Sequence, residues 1–585
     1  MTLGLSRRFA RCAALAAAIL ATLALPGPAA HADAAPPIIE GGARVLPVLA
    51  QSGMVVAQER RAAQVGVDVL KAGGNAVDAA IATGFALAVT LPRAGNLGGG
   101  GFMLIHLAKG EDIALDYREV APAATTTSTF LDAKGEADPA KSRDGGLGVG
   151  VPGTVAGLST AHARWGSGRF TLAQLVAPAI ELARAGVPVE DDLADSLPRA
   201  ARRLARWPES RRVFLDAAGQ APPRGALLRQ PDLADTLERI AREGPDGFYR
   251  GATADRIVAS VRSAGGLMTA EDLRAYLPIA RAPLRGTYRG REIVSMPPPS
   301  SGGAHLIELL NVVERFPLRD WGAGSAAAIH TMAEAMKLAF ADRAEWMGDP
   351  AFTAMPLKGL MSKAYAARLA ERIAPDRAKP SAEISRVDPA PYEGDQTTHF
   401  SVVDAAGNAV SNTTTLNFSY GSGITAEGTG VLLNNELDDF AAKPGAPNAF
   451  GLTGGAANAP GPNKRPLSSM TPTFVFTDGK LEIVTGTPGG PRIITAVLQQ
   501  IVNILDFGMN AAESVDAVRF HHQWMPDELR IERGASPDTL AALRAKGQNV
   551  RVGDAMGSVA TIHLRDGVMM GASDTRQRGT AAVGY

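Results

Sequence analysis

Thr397 and Thr398 open a strand-forming run, Thr397 to Val403, and a second run, Ala409 to Phe418, follows after Asp404-Ala-Ala-Gly-Asn408. Asp, Gly and Asn carry the turn chemistry of a hairpin loop, and both flanking runs have strand composition. With Val403 paired to Ala409, a regular ladder sets Thr397 opposite Thr415 and makes neighbours of two hydroxyls. A threonine hydroxyl is a poor nucleophile without a base, but a chain-terminal threonine carries its own. Its α-amine has a reference pKa of ~7.7–8, against ~10.4 for lysine, and is partly neutral at ordinary pH. Scission of the Gln396–Thr397 bond would therefore make nucleophile and base together. From the residues alone, Thr-Thr at a strand start is better explained by the β-branched preference for pleated surfaces.

Other residues with chemical potential carry plain readings on their own. Arg118 sits in a predicted strand, Ile113 to Val120, where a guanidinium is ordinarily a surface ion-pair partner. Gly98 to Gly101 precede a strand at Phe102 to Leu107 without the strand, glycine loop, helix order of a dinucleotide site, so close backbone packing is expected. Gly489-Gly490 reads as a tight turn and Ser468-Ser469 as a helix cap. His330 and Glu334 make a poor ligand set, the chain has no H-E-x-x-H pattern, and no metal or cofactor is expected. Adjacent His521 and His522 on a strand point to opposite faces, so they and Trp524 are read as structural. His399 shares a strand face with Thr397 and is expected to pack.

The order and wording of the motifs change this picture. DQTTHFSVVD, TLNFSYGSGI, GVLLNNELDDF, NKRPLSSMTP, TGTPGGPRIIT and RFHHQWMPDEL resemble, at similar spacing, segments of the γ-glutamyltranspeptidase family. LDYRE around Arg118, GVGVPGTVAG at 148–157 and MPPPSSGG at 296–303 extend the resemblance over nearly the whole chain beyond residue 40. The resemblance implies a four-layer αββα sandwich of the N-terminal-nucleophile hydrolase type, made as a precursor that cleaves itself between Gln396 and Thr397. It implies Thr397 as nucleophile, Thr415 as the hydroxyl that supports it, and Gly489 and Gly490 as the oxyanion hole. Arg118 with Ser468 and Ser469 would hold the substrate α-carboxylate, and Asn417, Glu436 and Asp439 its α-ammonium. A guanidinium fork matches a carboxylate in two bonds and paired carboxylates suit a cation, so each role fits its residue type.

The elements that must position these residues are legible in outline. Met1 to Ala32 has a basic start, an apolar run from Ala13 to Leu25 and the small-residue site Ala30-His-Ala32, as in a secretory signal peptide. A periplasmic or secreted location without a stable membrane anchor is expected. The only cysteine, Cys12, lies in that segment, so no thiol chemistry is expected of the mature protein. Lys plus Arg equals Asp plus Glu at 59 each, which gives no electrostatic ground for nucleic-acid binding. Apolar spacing predicts helix, turn, helix from Val55 to Ala88, with Lys71-Ala-Gly-Gly-Asn75 as the break. Amphipathic helices are predicted at Leu172 to Arg184, Leu233 to Arg242 and Ala252 to Ser263 as an outer layer, and another at His330 to Met347. The polar, proline-containing residues 375–396 are expected to be a flexible approach to the cut.

The organisation so implied is a signal peptide (1–32), a large subunit (33–396) and a small subunit (397–585) forming one body after cleavage. The implied activity is that of a γ-glutamyltransferase and glutathione hydrolase. It acts on glutathione and other γ-glutamyl compounds and passes the acyl group to water, an amino acid or a peptide. The glycine- and proline-rich stretch Ala441 to Pro462 resembles the family's lid loop, with Phe450 where lidded bacterial members often carry tyrosine. A cephalosporin (glutaryl) acylase of the same architecture is the near alternative, and a non-catalytic exported binding protein the distant one.

Overall fold

The computed structural model describes residues 45–384, 397–443, 452 and 455–585. The signal-like segment, Gln396 and Phe450 lie outside the described residues.

The hairpin at the proposed cut has the register anticipated from its turn. Strands Thr397–Asp404 and Ala409–Thr415 pair antiparallel with Val403 opposite Ala409 and Thr397 opposite Thr415. The turn is built by Asp404. Its Oδ1 accepts from the backbone N–H of Ala406 and Asn408, both at 2.9 Å, while Gly407 takes φ 91°, a conformation that costs glycine little. Its Oδ2 accepts from Ala76 N at 2.9 Å, at the first turn of the helix Ala76–Thr90. One carboxylate thus fixes the hairpin register and ties it to a helix start.

The hairpin lies at the centre of a seven-stranded antiparallel sheet. Its order is Ala581–Gly584, Gly53–Ala57, Thr397–Asp404, Ala409–Thr415, Gly100–Leu107, Glu111–Tyr117 and Ile279–Arg281. A second seven-stranded antiparallel sheet runs Val48–Ala50, Val568–Ser573, Ala560–Arg565, Lys480–Gly486, Thr473–Thr477, Arg291–Ser295 and Leu284–Tyr288. Side-chain alternation separates two cores. Met103, Ile105, Phe400, Val402 and Val410 pack outward on the helices Arg60–Lys71, Ala76–Thr90 and Thr154–Trp165. Phe102, Leu104, Val403 and Ala409 face the second sheet, whose far side is covered by the helices Gly302–Val313, Ala326–Trp346 and Arg492–Leu505. This is the four-layer αββα sandwich.

The seam between the sheets is partly polar. Ser401 Oγ donates to Ala560 O and Ser411 Oγ to Thr485 O, each at 3.0 Å, so hydroxyls on one sheet meet backbone carbonyls of the other. His399 is fully buried here, within 2.9 Å of Thr413 Oγ1, and a Cβ at Gly486 would come within 2.3 Å of its ring. Burial pushes the His399 imidazole down to about 3, so it is a neutral packing group, as its position suggested.

Three expectations are corrected. Gly53–Ala57 is a strand buried along its whole length and not a helix start, because Met54-Val-Val-Ala57 is a continuous apolar run that pairs with strands on both sides. The helix begins at Arg60, with Glu59 Oε2 accepting from Ala62 N. The second hairpin strand stops at Thr415, since Asn417 turns the chain with φ 70°. Residues up to 384 are not a loose approach to the cut. Ser381 donates from N and Oγ to Asp527, both at 2.8 Å, Trp524 Nε1 donates to Ser381 O, and Lys337 Nζ donates to Lys379 O. The outer helices Leu172–Ala185, Pro231–Glu243 and Gly251–Ser263 form as read from their apolar spacing.

Asp404→Ala is expected to destabilise the protein by about 2–3 kcal/mol, because it strands the buried Ala76 N–H as well as the turn donors. Asp404→Asn, which keeps an acceptor, should recover part of the loss. Denaturation midpoints of the three proteins measure the difference, and an unchanged midpoint for Asp404→Ala would refute the assignment.

Candidate active site

The site is built on Arg118, which is fully buried one residue past the strand Glu111–Tyr117. Its backbone is fixed first. Asp116 Oδ1 accepts from Arg118 N at 3.0 Å, and Arg465 and Tyr276 donate to Arg118 O at 2.8 and 2.9 Å. Asp116 is in turn held by Arg281 and Arg465. The guanidinium reaches two carboxylates, Glu436 through Nη1 and Asp439 through Nη2, and its Nε donates to Pro466 O at 3.2 Å. A third carboxylate, Glu119, lies 3.7 Å from Nη1. Neither of its oxygens meets a hydrogen-bond partner among the described residues.

One guanidinium among three buried carboxylates leaves an excess of acid. Burial works against the Arg118 charge, but Glu436, Asp439 and Glu119 outweigh it and raise its pKa, so it stays protonated. Burial pushes Glu119 up to about 7, with Arg118 pulling the other way. Burial raises the Glu436 and Asp439 carboxyls as well, so near neutral pH the cluster tends to hold a proton, and with one proton bound it still carries a net charge of −1. Such a pocket favours a cation beside Glu436 and Asp439.

Asn417 sits beside this cluster. Its N–H donates to Thr415 Oγ1 at 2.7 Å and its Nδ2 to Asn435 O at 2.9 Å, next to Glu436. Thr415 is the backbone partner of Thr397, so the ladder end and the acidic end are joined within a few residues. Residues not singled out from sequence do the joining. Asn434 accepts from Gly150 N and Glu436 N and donates to Gly98 O and Gly150 O. Asn96 donates to Thr415 O at 2.8 Å and accepts from Gly99 N. A Cβ at Gly99 would lie 2.0 Å from Thr415 O, which confirms that the glycine run serves close backbone packing. Asparagines in loops gave no periodic signal; the density of Asn around 417–435 could have marked Asn434, and nothing local marked Asn96.

Ser468 and Ser469 follow Pro466 and Leu467, whose carbonyls accept from Arg118. Ser469 Oγ accepts from Arg343 Nη2 at 2.8 Å, and Ser468 O accepts from Ser301 N and Oγ. Gly489 and Gly490 take φ 129° and 57° between the strand Lys480–Gly486 and the helix Arg492–Leu505, a backbone path that a side chain would strain. They are linked to the Thr397 strand through Gly486, packed on His399. His521 and His522 are buried in structural roles: His521 lies within 2.9 Å of Thr495 Oγ1, and His522 accepts from Trp524 N. His330 is within 2.8 Å of Ala374 O and accepts from Gln548. Among the described residues no His, Cys, Asp and Glu group is arranged to hold a metal ion.

Two antiparallel sheets between helical layers, with a threonine opening a central strand at a polar site, define an N-terminal-nucleophile hydrolase. A cephalosporin acylase from Bacillus halodurans superposes with a TM-score of 0.82 at 30% identity, covering 94% of this chain and 99% of that one. The γ-glutamyltranspeptidase profile matches residues 62–584. The glutathione hydrolase proenzyme of Escherichia coli is 52% identical over 560 residues, 95% of this chain and 96% of its relative. A γ-glutamyltranspeptidase chain from Helicobacter pylori is 43% identical with a TM-score of 0.55, covering 59% of this chain and 97% of that one. The chain belongs to the γ-glutamyltranspeptidase family and is an enzyme of that hydrolase and transferase class.

The Glu119 carboxyl yields a pH prediction. Its folded pKa of about 7 lies above the ordinary glutamate value of 4.5, so its contribution to stability is full below about pH 4.5 and is lost as the pH rises through 7. Between pH 5 and 8 the wild type is expected to lose about 2–3 kcal/mol relative to Glu119→Gln. Unfolding of the two proteins across that range checks this, and parallel pH profiles would contradict it.

Proposed function

We propose that Thr397, released as an amino terminus by self-cleavage after Gln396, is the nucleophile of a γ-glutamyltransferase and glutathione hydrolase. The observation that carries the reading is the Thr397–Thr415 pairing beside the buried cluster of Arg118, Glu436 and Asp439. The precursor would become a large subunit, 33–396, and a small subunit, 397–585. The H. pylori match supports that division, since nearly the whole of that chain covers only 59% of this one. Removal of the segment 1–32 would leave the enzyme periplasmic or secreted. No helix among the described residues is long and apolar enough to cross a membrane.

In this reading a γ-glutamyl compound such as glutathione inserts its zwitterionic head into the ion cluster. Its α-ammonium takes over Glu436 and Asp439, with Asn417 beside them, and its α-carboxylate takes over Arg118 with Ser468 and Ser469. Exchanging one set of ion pairs for another keeps every buried charge partnered, whereas a neutral head would leave the cluster's acids uncompensated. The γ-carbonyl then lies toward Thr397. The free α-amine takes the hydroxyl proton as the oxygen attacks, and the Gly489 and Gly490 N–H groups receive the developing oxyanion. Thr415, whose oxygen accepts from Asn417 N, is the second hydroxyl that supports the nucleophile in this reading. The amine leaves with the proton, giving a γ-glutamyl ester on Thr397. Water, an amino acid or a peptide then attacks the ester and restores the hydroxyl.

The likeness to acylases favours a second reading, a glutaryl acylase of the same architecture. A glutaryl group has no α-ammonium, and the acid excess around Arg118 argues against it.

A denaturing gel with amino-terminal sequencing tests the first step. The wild type is expected to give a fragment of ~20 kDa, from 189 residues of average mass, that begins Thr-Thr-His-Phe, while Thr397→Ala stays whole. A wild type that remains one chain removes the mechanism. Turnover of γ-glutamyl and glutaryl anilides separates the two activities. Arg118→Lys should raise KM for the γ-glutamyl donor by ~100-fold, because an ammonium cannot replace the two-bonded fork.

A further inference from the structure

Arg343 lies near the end of the helix Ala326–Trp346, on a layer that contributes none of the residues assigned above. It is 4% exposed, and its guanidinium points at the Ser468-Ser469 pair. Nη2 donates to Ser469 Oγ at 2.8 Å, and Nε donates to Ser301 Oγ at 2.8 Å. Ser301 Oγ passes its own proton on to Ser468 O at 2.7 Å, reinforced by Ser301 N at 2.8 Å. Ser301 belongs to the stretch 296–303, whose glycines bring it close. A Cβ at Gly302 would stand 2.4 Å from Met470 O, and one at Gly303 2.3 Å from Met296 O.

The direction of these bonds matters. A serine hydroxyl facing an anion can turn either its proton or its lone pairs toward it, and only the first attracts. An arginine N–H donating into the Ser469 oxygen occupies a lone pair, turns the hydroxyl proton away from Arg343, and polarises the O–H bond for a second, charge-assisted bond. The chain from Nε through Ser301 does the same for the Ser468 carbonyl and so fixes the backbone carrying both hydroxyls. Arginine suits this task because its planar fork serves two acceptors in fixed geometry, which a lysine ammonium cannot reproduce.

We propose that Arg343 is a positioning residue for the carboxylate end of the site, orienting the Ser469 hydroxyl directly and the Ser468 backbone through Ser301. This rests on the assignment of Ser468 and Ser469 to the donor's α-carboxylate made under Proposed function. It adds a specificity determinant from the helical layer behind the second sheet. The guanidinium touches no reacting atom, so its loss weakens recognition of the carboxylate and leaves the chemistry at Thr397 in place.

The test compares two donors on the matured enzyme: γ-glutamyl-p-nitroanilide and 4-aminobutyryl-p-nitroanilide, which is the same molecule without the α-carboxylate. The fraction cleaved at Thr397 is read on a gel for every variant. Arg343→Gln is expected to raise KM for the γ-glutamyl donor by ~10–100-fold with kcat changed much less, the effect of one charge-assisted hydrogen bond. Its kcat/KM for the decarboxylated donor should move by less than ~3-fold on the same reckoning. Arg343→Lys should restore little of the loss, and Ser301→Ala should show a weaker version of it. In a Ser469→Ala background Arg343→Gln should add almost nothing, because its partner is gone. Equal losses on both donors, or full additivity with Ser469→Ala, would overturn the proposal and mark Arg343 as a brace of the fold. If Arg343→Gln does not mature, Ser301→Ala and Arg343→Lys carry the same comparison. A wild type that does not distinguish the two donors removes the carboxylate assignment itself, whereas a discriminating wild type with an indifferent Arg343→Gln removes only the role of Arg343.

Discussion

A guanidinium taken wholly out of water must be compensated where it lies, and the Arg118 region is arranged around that need. Glu436 and Asp439 pair with the charge, backbone carbonyls of Pro466 and Leu467 take further N–H groups, and Glu119 stands behind with a carboxyl whose pKa burial raises to about 7. The desolvation cost of such a set is large, and it is met only when every partner is held in place. That explains the outer ring of Asp116, Arg281, Arg465 and Tyr276, which fix the Arg118 backbone. A pocket organised in this way carries the ion pairs that the proposed zwitterionic donor would exchange for its own.

The second constraint is the register of the central hairpin. A slip of one residue would turn His399 and Ser401 from the inter-sheet seam to the helical side and would place Phe400 and Val402 among polar groups. The register is secured three times over, by the Asp404 turn, by pairing to the strands on either side, and by Ser401 and Ser411 bonding across the seam. Hydroxyls are economical there because each donates to a carbonyl of the facing sheet, so the seam is polar without stranding a buried donor. The strand that would present the nucleophile is thus among the most constrained parts of the molecule.

Much of this was legible in the sequence because it is local or periodic. The hairpin register followed from Asp404-Ala-Ala-Gly-Asn408 and strand alternation, and the outer helices from apolar spacing. The family followed from long motifs in fixed order. Where local reading failed, a longer-range term prevailed. Met54 to Ala57 joined the sheet because strands waited on both sides, and the segment ending at Ser381 was fastened by Asp527 and Trp524, more than a hundred residues away.

The sequence by itself determined which residues could do the chemistry: a threonine that cleavage would make terminal, an arginine in a strand, paired serines and paired glycines. Side-chain type and short spacing carry that information. Only the tertiary structure decided that Arg118 meets three carboxylates at once, that Asn434 and Asn96 knit loops far apart in sequence, and that Arg343 reaches Ser469 from another layer. Apart from the neighbouring Glu119, each of these is a contact across more than a hundred residues, set by how sheets and helices stack, and no local pattern encodes which buried charge will find which partner.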